Sequence, residues 1–216
     1  MFSLAGGDRY RATCMSTGRY IAFEGSEGTG KSTHAARLGA YLGAVVTRET
    51  GGTTIGQLIR DILHDTEHNH LSHRAEALLT AADRAQHIDE VVAPALTGGR
   101  HVVSDRSVYS ALAYQGYGRG LALDEIRLLN SWALNSWWPD LVLLLDASPE
   151  VLERRMRGRQ LDRFESEDTG FHRRVRDGFR EMAAADPHRW VVIDGGMSLD
   201  AVGKAVRVAV LDRLGL

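Results

Sequence analysis

The chain has 216 residues, 44% of them hydrophobic and 25% charged, and its formal net charge is -2. This composition suits one globular α/β domain with a sizeable core, and the near balance of charge argues against a nucleic-acid-binding surface. The single cysteine, Cys14, excludes an internal disulfide and a cysteine-based metal site. No apolar run approaches the roughly 18 residues of a membrane-spanning helix. We therefore expect a cytoplasmic protein whose partners are neither membranes nor nucleic acids.

The order of apolar patterns along the chain predicts the fold class. Residues 1–17 are mixed and polar, and we predict a flexible N-terminal arm there and a single domain at 18–216. Strand and helix patterns alternate, which favours an α/β fold with a central parallel sheet flanked by helices. In chain order we predict a strand at 20–24, a helix at 32–42, a strand at 45–47, helices at 55–63 and 72–92, a strand at 101–104, helices at 111–114 and 124–135, a strand at 141–145, helices at 149–157 and 171–184, a strand at 190–193 and a helix at 199–214.

A glycine-rich run lies between the first predicted strand and the first predicted helix. It fits the phosphate-binding pattern G-x-x-x-x-G-K-[ST], in which backbone N–H groups and the start of the helix surround phosphate oxygens. Lys31 can reach the terminal phosphates, and the Ser32 hydroxyl can ligate Mg²⁺. The run therefore predicts binding of a nucleoside triphosphate with Mg²⁺. Its residues are Gly25, Ser26, Glu27, Gly28, Thr29, Gly30, Lys31, Ser32 and Thr33.

Charged residues follow two further predicted strands. Arg48 and Glu49 come after one strand, and Asp105 and Arg106 come after the other. Since ligands bind at the carboxyl edge of a parallel sheet, we expect these residues to share one cleft with the glycine-rich run. Asp105 is a candidate second ligand of Mg²⁺, directly or through water.

The arginines divide into two groups suited to phosphoryl transfer. The planar guanidinium gives paired, charge-assisted hydrogen bonds to phosphate. Arg48, Arg84 and Arg106 are candidates for holding an acceptor phosphate. Residues 154–168, called the lid segment below, are polar and rich in arginine, and we expect them to close over the donor and exclude water. The candidates in this segment are Arg157, Arg159 and Arg163.

Six motifs in order resemble the thymidylate kinase family, in the bacterial form that has arginines in its lid. The resemblance covers nearly the whole chain from Tyr20 onward. It implies a P-loop NTPase-like three-layer fold and transfer of the γ-phosphate of ATP to dTMP, which gives dTDP and ADP. It also implies a homodimer packed through helices, including the predicted helix at 72–92. The matching segments are 23–33, 47–53, 81–87, Asp105-Arg106 with 113–116, Pro139-Asp140 and 161–165.

The resemblance also implies roles for individual residues. Glu27 would meet the 3′-hydroxyl of the sugar, Tyr114 would lie against the deoxyribose, and Gln115 would lie near the base. Glu49 and Thr80 would belong to the same acceptor site, which Arg48, Arg84 and Arg106 surround. The residues implied in catalysis are Lys31, Asp105, Arg106, Arg159 and Arg163, with Ser32 and Asp105 at the metal.

Several positions depart from the family pattern. Thr50 replaces a proline that is commonly preceded by a cis bond, so we expect this turn to be trans or reshaped. Thr80 replaces an aromatic residue that stacks on thymine, and Ser107 replaces an aromatic residue or histidine. Ala111 replaces a polar residue that would read the pyrimidine edge. Tyr109 is a candidate for supplying the missing ring.

Two other functions remain open on the sequence. The chain could be a kinase for another nucleoside monophosphate or for a deoxynucleoside, in which case Glu49 would serve as the general base near a 5′-hydroxyl. It could also be a non-catalytic nucleotide-binding protein, although Lys31, Ser32 and Asp105 argue against this alternative.

Overall fold

The computed structural model of the protein describes residues 18–216, so the predicted arm at 1–17 lies outside the described residues. The described part is an alternation of strands and helices. Its elements are β1 (Tyr20–Glu24), α1 (Lys31–Leu42), β2 (Val45–Arg48), α2 (Thr54–His64), α3 (His73–His87), α4 (Ala93–Thr97), β3 (Val102–Asp105), α5 (Val108–Ala111), α6 (Leu123–Leu134), β4 (Leu141–Asp146), α7 (Pro149–Met156), α8 (Thr169–Ala185), β5 (Trp190–Asp194) and α9 (Leu199–Leu214). A 3₁₀ turn (Thr66–His68) and two π-helical segments (Ile88–Val92 and Leu112–Gly118) complete them.

Most predicted elements are present with ends shifted by one or two residues. Ser72 precedes α3, and its hydroxyl accepts a hydrogen bond from the Ala75 N–H, as expected of a helix cap. The predicted helix at 72–92 continues from α3 through the first π-helical segment into α4. The predicted helix at 111–114 is part of a longer one, formed by α5 and the second π-helical segment. The helix expected to begin at Asp124 instead begins at Leu123.

The five strands form one parallel sheet in the order β2-β3-β1-β4-β5. This arrangement confirms the predicted α/β class. The register places Phe23 and Arg48 on either side of Asp105. The residues that follow β1, β2 and β3 therefore meet at one edge of the sheet.

Side chains from successive strand residues pack into two separate cores. Tyr20 and Val142 belong to the core beneath α3, α5, α6 and α8. Ile21 and Leu143 belong to the core beneath α1 and α9. Because successive strand side chains point to opposite faces, this division produces three layers with the sheet in the middle. Within residues 18–216, no helix combines the length and apolar character needed to cross a membrane.

Candidate active site

The glycine-rich run forms a tight loop between β1 and α1. Gly25, Gly28 and Gly30 have φ angles of 137°, 77° and 90°, which lie in the region that favours glycine. A Cβ on Gly25 would lie 2.3 Å from the Leu145 carbonyl oxygen, so the neighbouring strand also requires glycine there. The loop precedes the N-terminus of α1, and the first N–H groups of a helix have no partner within it and are available to an anion.

Lys31 lies inside this loop. Its Nζ donates a hydrogen bond of 2.8 Å to the Ser26 carbonyl oxygen, and the residue is only 5% exposed. Thr29 Oγ1 donates to the same carbonyl. Burial, reinforced by the positive charge of Arg106, lowers the pKa of Lys31. The hydrogen bond to Ser26 holds the ammonium group beside the loop, where phosphate oxygens would bind.

Ser32 and Asp105 form the candidate metal centre. Ser32 Oγ donates to Asp105 Oδ2 at 2.5 Å. Asp105 Oδ1 is buried and has no hydrogen-bond partner among residues 18–216. A hydroxyl beside a carboxylate with an unused oxygen is a donor set that suits Mg²⁺. The described residues contain no group of three histidine, cysteine, aspartate or glutamate side chains that could enclose a metal, so such an ion would need phosphate or water ligands as well.

Arg106 is the centre of the hydrogen-bond network at the edge of the sheet. Its backbone has a φ of 71°, and Nη1 donates to the Gly25 carbonyl and to Ser110 Oγ. Nη2 donates to Glu27 and to the Tyr114 hydroxyl, which lies 2.9 Å away. This arrangement brings together four predicted site residues: Gly25, Glu27, Arg106 and Tyr114.

Glu27 contacts cations on both sides. It pairs with Arg106, and its Oε2 lies 3.9 Å from Lys31 Nζ. Burial alone would raise the pKa of Glu27, but the charges of Arg106 and Lys31 outweigh burial and lower the pKa to about 2. The carboxylate is thus ionised at neutral pH, with its side chain 30% exposed towards the cleft.

Arg84 and Glu49 form a buried pair behind the predicted acceptor site. Arg84 Nε donates to Glu49 Oε2 at 2.9 Å, and the two side chains are 2% and 1% exposed. Arg84 also donates to the Asn130 carboxamide oxygen and to the Ser107 carbonyl. His87 Nδ1 lies 2.9 Å from Glu49 Oε1. Burial would raise the pKa of Glu49, yet Arg84 and His87 lower it.

The turn after β2 differs from our expectation. The Glu49-Thr50 peptide bond is cis, although we predicted a trans or reshaped turn because Thr50 is not proline. Side chains that are distant in sequence hold the turn: Arg60 Nη1 donates to the Thr50 carbonyl, and Asp83 Oδ1 accepts from the Gly51 N–H. A prediction from the missing proline alone could not include these contacts.

Arg48 lies at the mouth of the turn. Its Nη2 donates to Gln57 Oε1 at 2.6 Å and its Nε to the Gly51 carbonyl. Its side chain lines the cleft together with Glu49 and Thr50.

The pocket expected to hold the base lies between α3 and the helical segment after Arg106. Its lining includes Thr80, Ser107, Ala111, Tyr114 and Gln115. The suggestion that Tyr109 supplies the missing ring is wrong. Its ring packs in the core against Trp190 at 4.7 Å and against Trp138, and its hydroxyl accepts from Arg189.

The lid segment contributes its arginines unequally. Arg159 lines the cleft, and so does Arg155, whose Nη1 donates to the Gly28 carbonyl. Arg157 is exposed. Arg163, although predicted to close over the donor, points elsewhere: Nε donates to the Leu63 carbonyl, and Nη2 lies 2.7 Å from the buried carboxylate of Glu76. A buried ion pair therefore holds this guanidinium away from the phosphate loop.

Glu24 was not predicted as a site residue. It is the last residue of β1 and is fully buried. Its Oε1 accepts from the Ser107 N–H and hydroxyl and from the Ser110 N–H, and its Oε2 accepts from the Ser110 hydroxyl. Burial raises the pKa of Glu24 to about 7, against the opposing effect of Arg106. The signal in the sequence was a carboxyl group at the end of an otherwise apolar strand.

These residues surround one cleft of about 970 Å³ at the carboxyl edge of the sheet. The phosphate loop lies at one side of it, and the pocket with Thr80, Tyr114 and Gln115 lies at the other. A parallel sheet with this loop and with arginines around a second pocket defines a P-loop nucleotide kinase.

Comparisons with known proteins give the particular family. A model of the thymidylate kinase family matches residues 23–206. The chain is 43% identical to the thymidylate kinase of Exiguobacterium, over 92% of this chain and 96% of the relative. It is 46% identical to that of Bifidobacterium longum, over 88% and 96%. A crystal structure of thymidylate kinase from Ehrlichia chaffeensis superposes with a TM-score of 0.75 at 31% identity, covering 91% of this chain and 99% of that one. The chain belongs to the thymidylate kinase family.

Proposed function

We propose that the protein transfers the γ-phosphate of ATP to dTMP, giving dTDP and ADP. The observation that carries this proposal is one continuous cleft that joins the phosphate loop to the pocket of Arg84, Tyr114 and Gln115. A donor triphosphate on the loop and an acceptor in the pocket would face each other across Arg106. This arrangement suits direct transfer between two bound nucleotides.

The charges in the cleft suggest a division of roles. Lys31 and the loop N–H groups bind the donor phosphates, and Lys31 stabilises charge on the moving phosphoryl group. Arg48 and Arg106 bind the acceptor phosphate, and Arg159 approaches from the lid segment. Glu27 accepts a hydrogen bond from the sugar hydroxyl and keeps Arg106 in place. Closure of the lid segment would exclude water and so limit hydrolysis of ATP.

Mg²⁺ is part of the proposal. Ser32 and Asp105 would hold it, and the buried Asp105 Oδ1 without a protein partner supports that assignment. When bound, the ion would neutralise charge on the donor phosphates.

The surroundings of Glu49 argue against the deoxynucleoside kinase alternative, because that reaction needs a general base. It requires Glu49 to accept a proton from a sugar hydroxyl. Glu49 is 4% exposed, is paired with Arg84 and His87, and has a lowered pKa, which makes it a weak base. The assay described below also tests acceptors other than dTMP.

The test is an ADP-release assay with ATP, Mg²⁺ and separate acceptors: dTMP, dUMP, UMP, dCMP, dGMP and thymidine. We expect the highest kcat/KM with dTMP. Preference for another acceptor would show that Thr80, Ser107 and Ala111 have changed the specificity. Absence of turnover with every acceptor, together with ATP binding, would favour the non-catalytic alternative.

We further propose a homodimer formed through α2, α3 and α6. These helices pack together and expose large apolar side chains: Ile55, Leu58, Ile62, Leu78, Leu128 and Trp132, the last with 80% of its surface accessible. A patch of this kind on adjoining helices is typical of a protein interface. Analytical ultracentrifugation should give twice the monomer mass, and a monomer at micromolar concentration would contradict the proposal.

Because the reaction uses ATP, we propose that the protein is located in the cytoplasm. Cell fractionation can check this location.

A further inference from the structure

A buried carboxylate lies beneath the base pocket and has no role in the reaction described above. Glu76 is fully buried on α3, one turn before Thr80. Its oxygens accept hydrogen bonds from Gln115 Nε2 at 2.9 Å and from Arg119 Nη2 at 3.0 Å, and Arg163 Nη2 lies 2.7 Å away. The group therefore contacts both a pocket residue and an arginine of the lid segment.

We propose that Glu76 is a positioning residue for base selection: it fixes the Gln115 carboxamide so that its carbonyl oxygen, not its amino group, faces the cleft. A pocket with that oxygen selects a pyrimidine that donates at N3, such as thymine, over cytosine. The inference rests on the proposed function, because it assigns the base of the acceptor to this pocket.

The orientation of the amide follows from the charge of its partner. Burial would raise the pKa of Glu76, but the hydrogen bonds from Arg119 and Gln115 outweigh burial and lower it. Glu76 is thus ionised and can only accept hydrogen bonds. Turning the Gln115 carbonyl towards it would place two acceptors in contact at 2.9 Å and leave a buried group unpaired, which is costly.

The other end of the amide is available to a ligand. Gln115 is 2% exposed and lines the cleft. Among residues 18–216, no donor is hydrogen-bonded to its Oε1, whereas its Nε2 is bound to Glu76. Ala111, which lines the same cleft, has no polar side-chain group that could read the base instead.

The remaining groups match one pyrimidine edge. Thymine presents an acceptor at O4 and a donor at N3, whereas cytosine presents a donor at N4 and an acceptor at N3. Arg84 can only donate, and a fixed Gln115 Oε1 can only accept. This pair therefore matches thymine or uracil and opposes cytosine at both positions. Sites that hydrogen-bond a substrate discriminate strongly because a mismatch leaves buried groups unpaired.

The first test is Glu76→Gln, assayed for kcat/KM with dTMP and with dCMP. A neutral amide at position 76 can accept or donate, so Gln115 becomes free to turn over. We expect the dTMP:dCMP ratio to fall by about 10-fold or more, from the energy of one hydrogen bond. The matched control is Glu167→Gln, because Glu167 binds Arg119 at 2.5 Å without contacting Gln115. Its ratio should stay at the wild-type value.

A double-mutant cycle separates positioning from general damage. Gln115→Met should lower the same ratio, and adding Glu76→Gln to it should produce no further change, since no amide remains to be oriented. An unchanged ratio in Glu76→Gln, or independent addition of the two effects, would overturn the inference. If wild-type protein does not phosphorylate dTMP at all, the proposed function fails instead.

A measurement on the wild-type protein covers the case in which Glu76→Gln does not fold. The Gln115 side-chain NH₂ signals can be assigned in NMR spectra from their loss in Gln115→Met. We expect these protons to exchange slowly with water, both with and without dTMP, because the NH₂ group is hydrogen-bonded to the buried carboxylate of Glu76. Rapid exchange in both states would refute the proposed orientation.

Discussion

Replacing Glu24 by glutamine should make the protein more stable at alkaline pH. Glu24 is fully buried, and its pKa is raised from 4.5 to about 7. Between these values the folded protein holds a proton that the unfolded chain has released. Stability therefore falls as the pH rises from 4.5 through 7. The loss is about 3 kcal/mol, because each pH unit between the folded and unfolded pKa values corresponds to about 1.4 kcal/mol.

Glutamine can keep most of the contacts of the protonated carboxyl group. Its Oε1 can accept from the Ser107 and Ser110 N–H groups, and its Nε2 can donate to the Ser110 hydroxyl. The variant should match wild type near pH 4.5 and exceed it by about 3 kcal/mol near pH 8.5, because the cost of ionising a buried carboxyl is absent.

Urea unfolding at intervals between pH 4.5 and 8.5 measures this difference directly. The comparison with wild type cancels the contributions of other titrating groups, including Asp83, whose pKa burial raises to about 6. Glu125→Gln, at an exposed position on α6, controls for the loss of any carboxylate. A difference between Glu24→Gln and wild type that stays constant across this range would refute the reasoning.

Three further predictions concern the cleft and the exposed helices. Lys31→Ala should lower kcat by at least about 100-fold, because it removes charge from the moving phosphoryl group; turnover at the wild-type rate would exclude that role. Thr80→Phe should tighten dTMP binding roughly 5- to 100-fold if the new ring stacks on the base, and unchanged affinity by calorimetry would place the base elsewhere. Trp132→Glu should convert the dimer to a monomer in analytical ultracentrifugation, since it places a charge in an apolar interface; a dimer that persists would move the interface to another surface.

The phosphate loop could be predicted from sequence because its function depends on local geometry. Positive φ angles at Gly25, Gly28 and Gly30 and the position of Lys31 at the start of a helix are properties of consecutive residues. The parallel sheet then follows from strand alternation, and it brings Arg48 and the residues after β3 to the same edge.

Contacts between distant residues explain where the structure differs from expectations based on the sequence. Arg163 resembles its neighbours in the lid segment, and only the folded chain brings Glu76 within 2.7 Å of its guanidinium. Tyr109 is close in sequence to pocket residues, but the direction of its helix turns the ring towards Trp190. Glu24 was missed because its partners lie more than eighty positions further along the chain.

The π-helical segment Leu112–Gly118 has a consequence for how this site can change. The wider π-helical turn contains one more residue than an α-helical turn would. Within it Tyr114 and Gln115 are adjacent, and both line the cleft. Deleting one residue would restore ordinary helical geometry and rotate one of the two side chains away from the substrate. The length of this segment therefore matters to the site as well as its residue identities, and an insertion or deletion there should be more harmful than most substitutions.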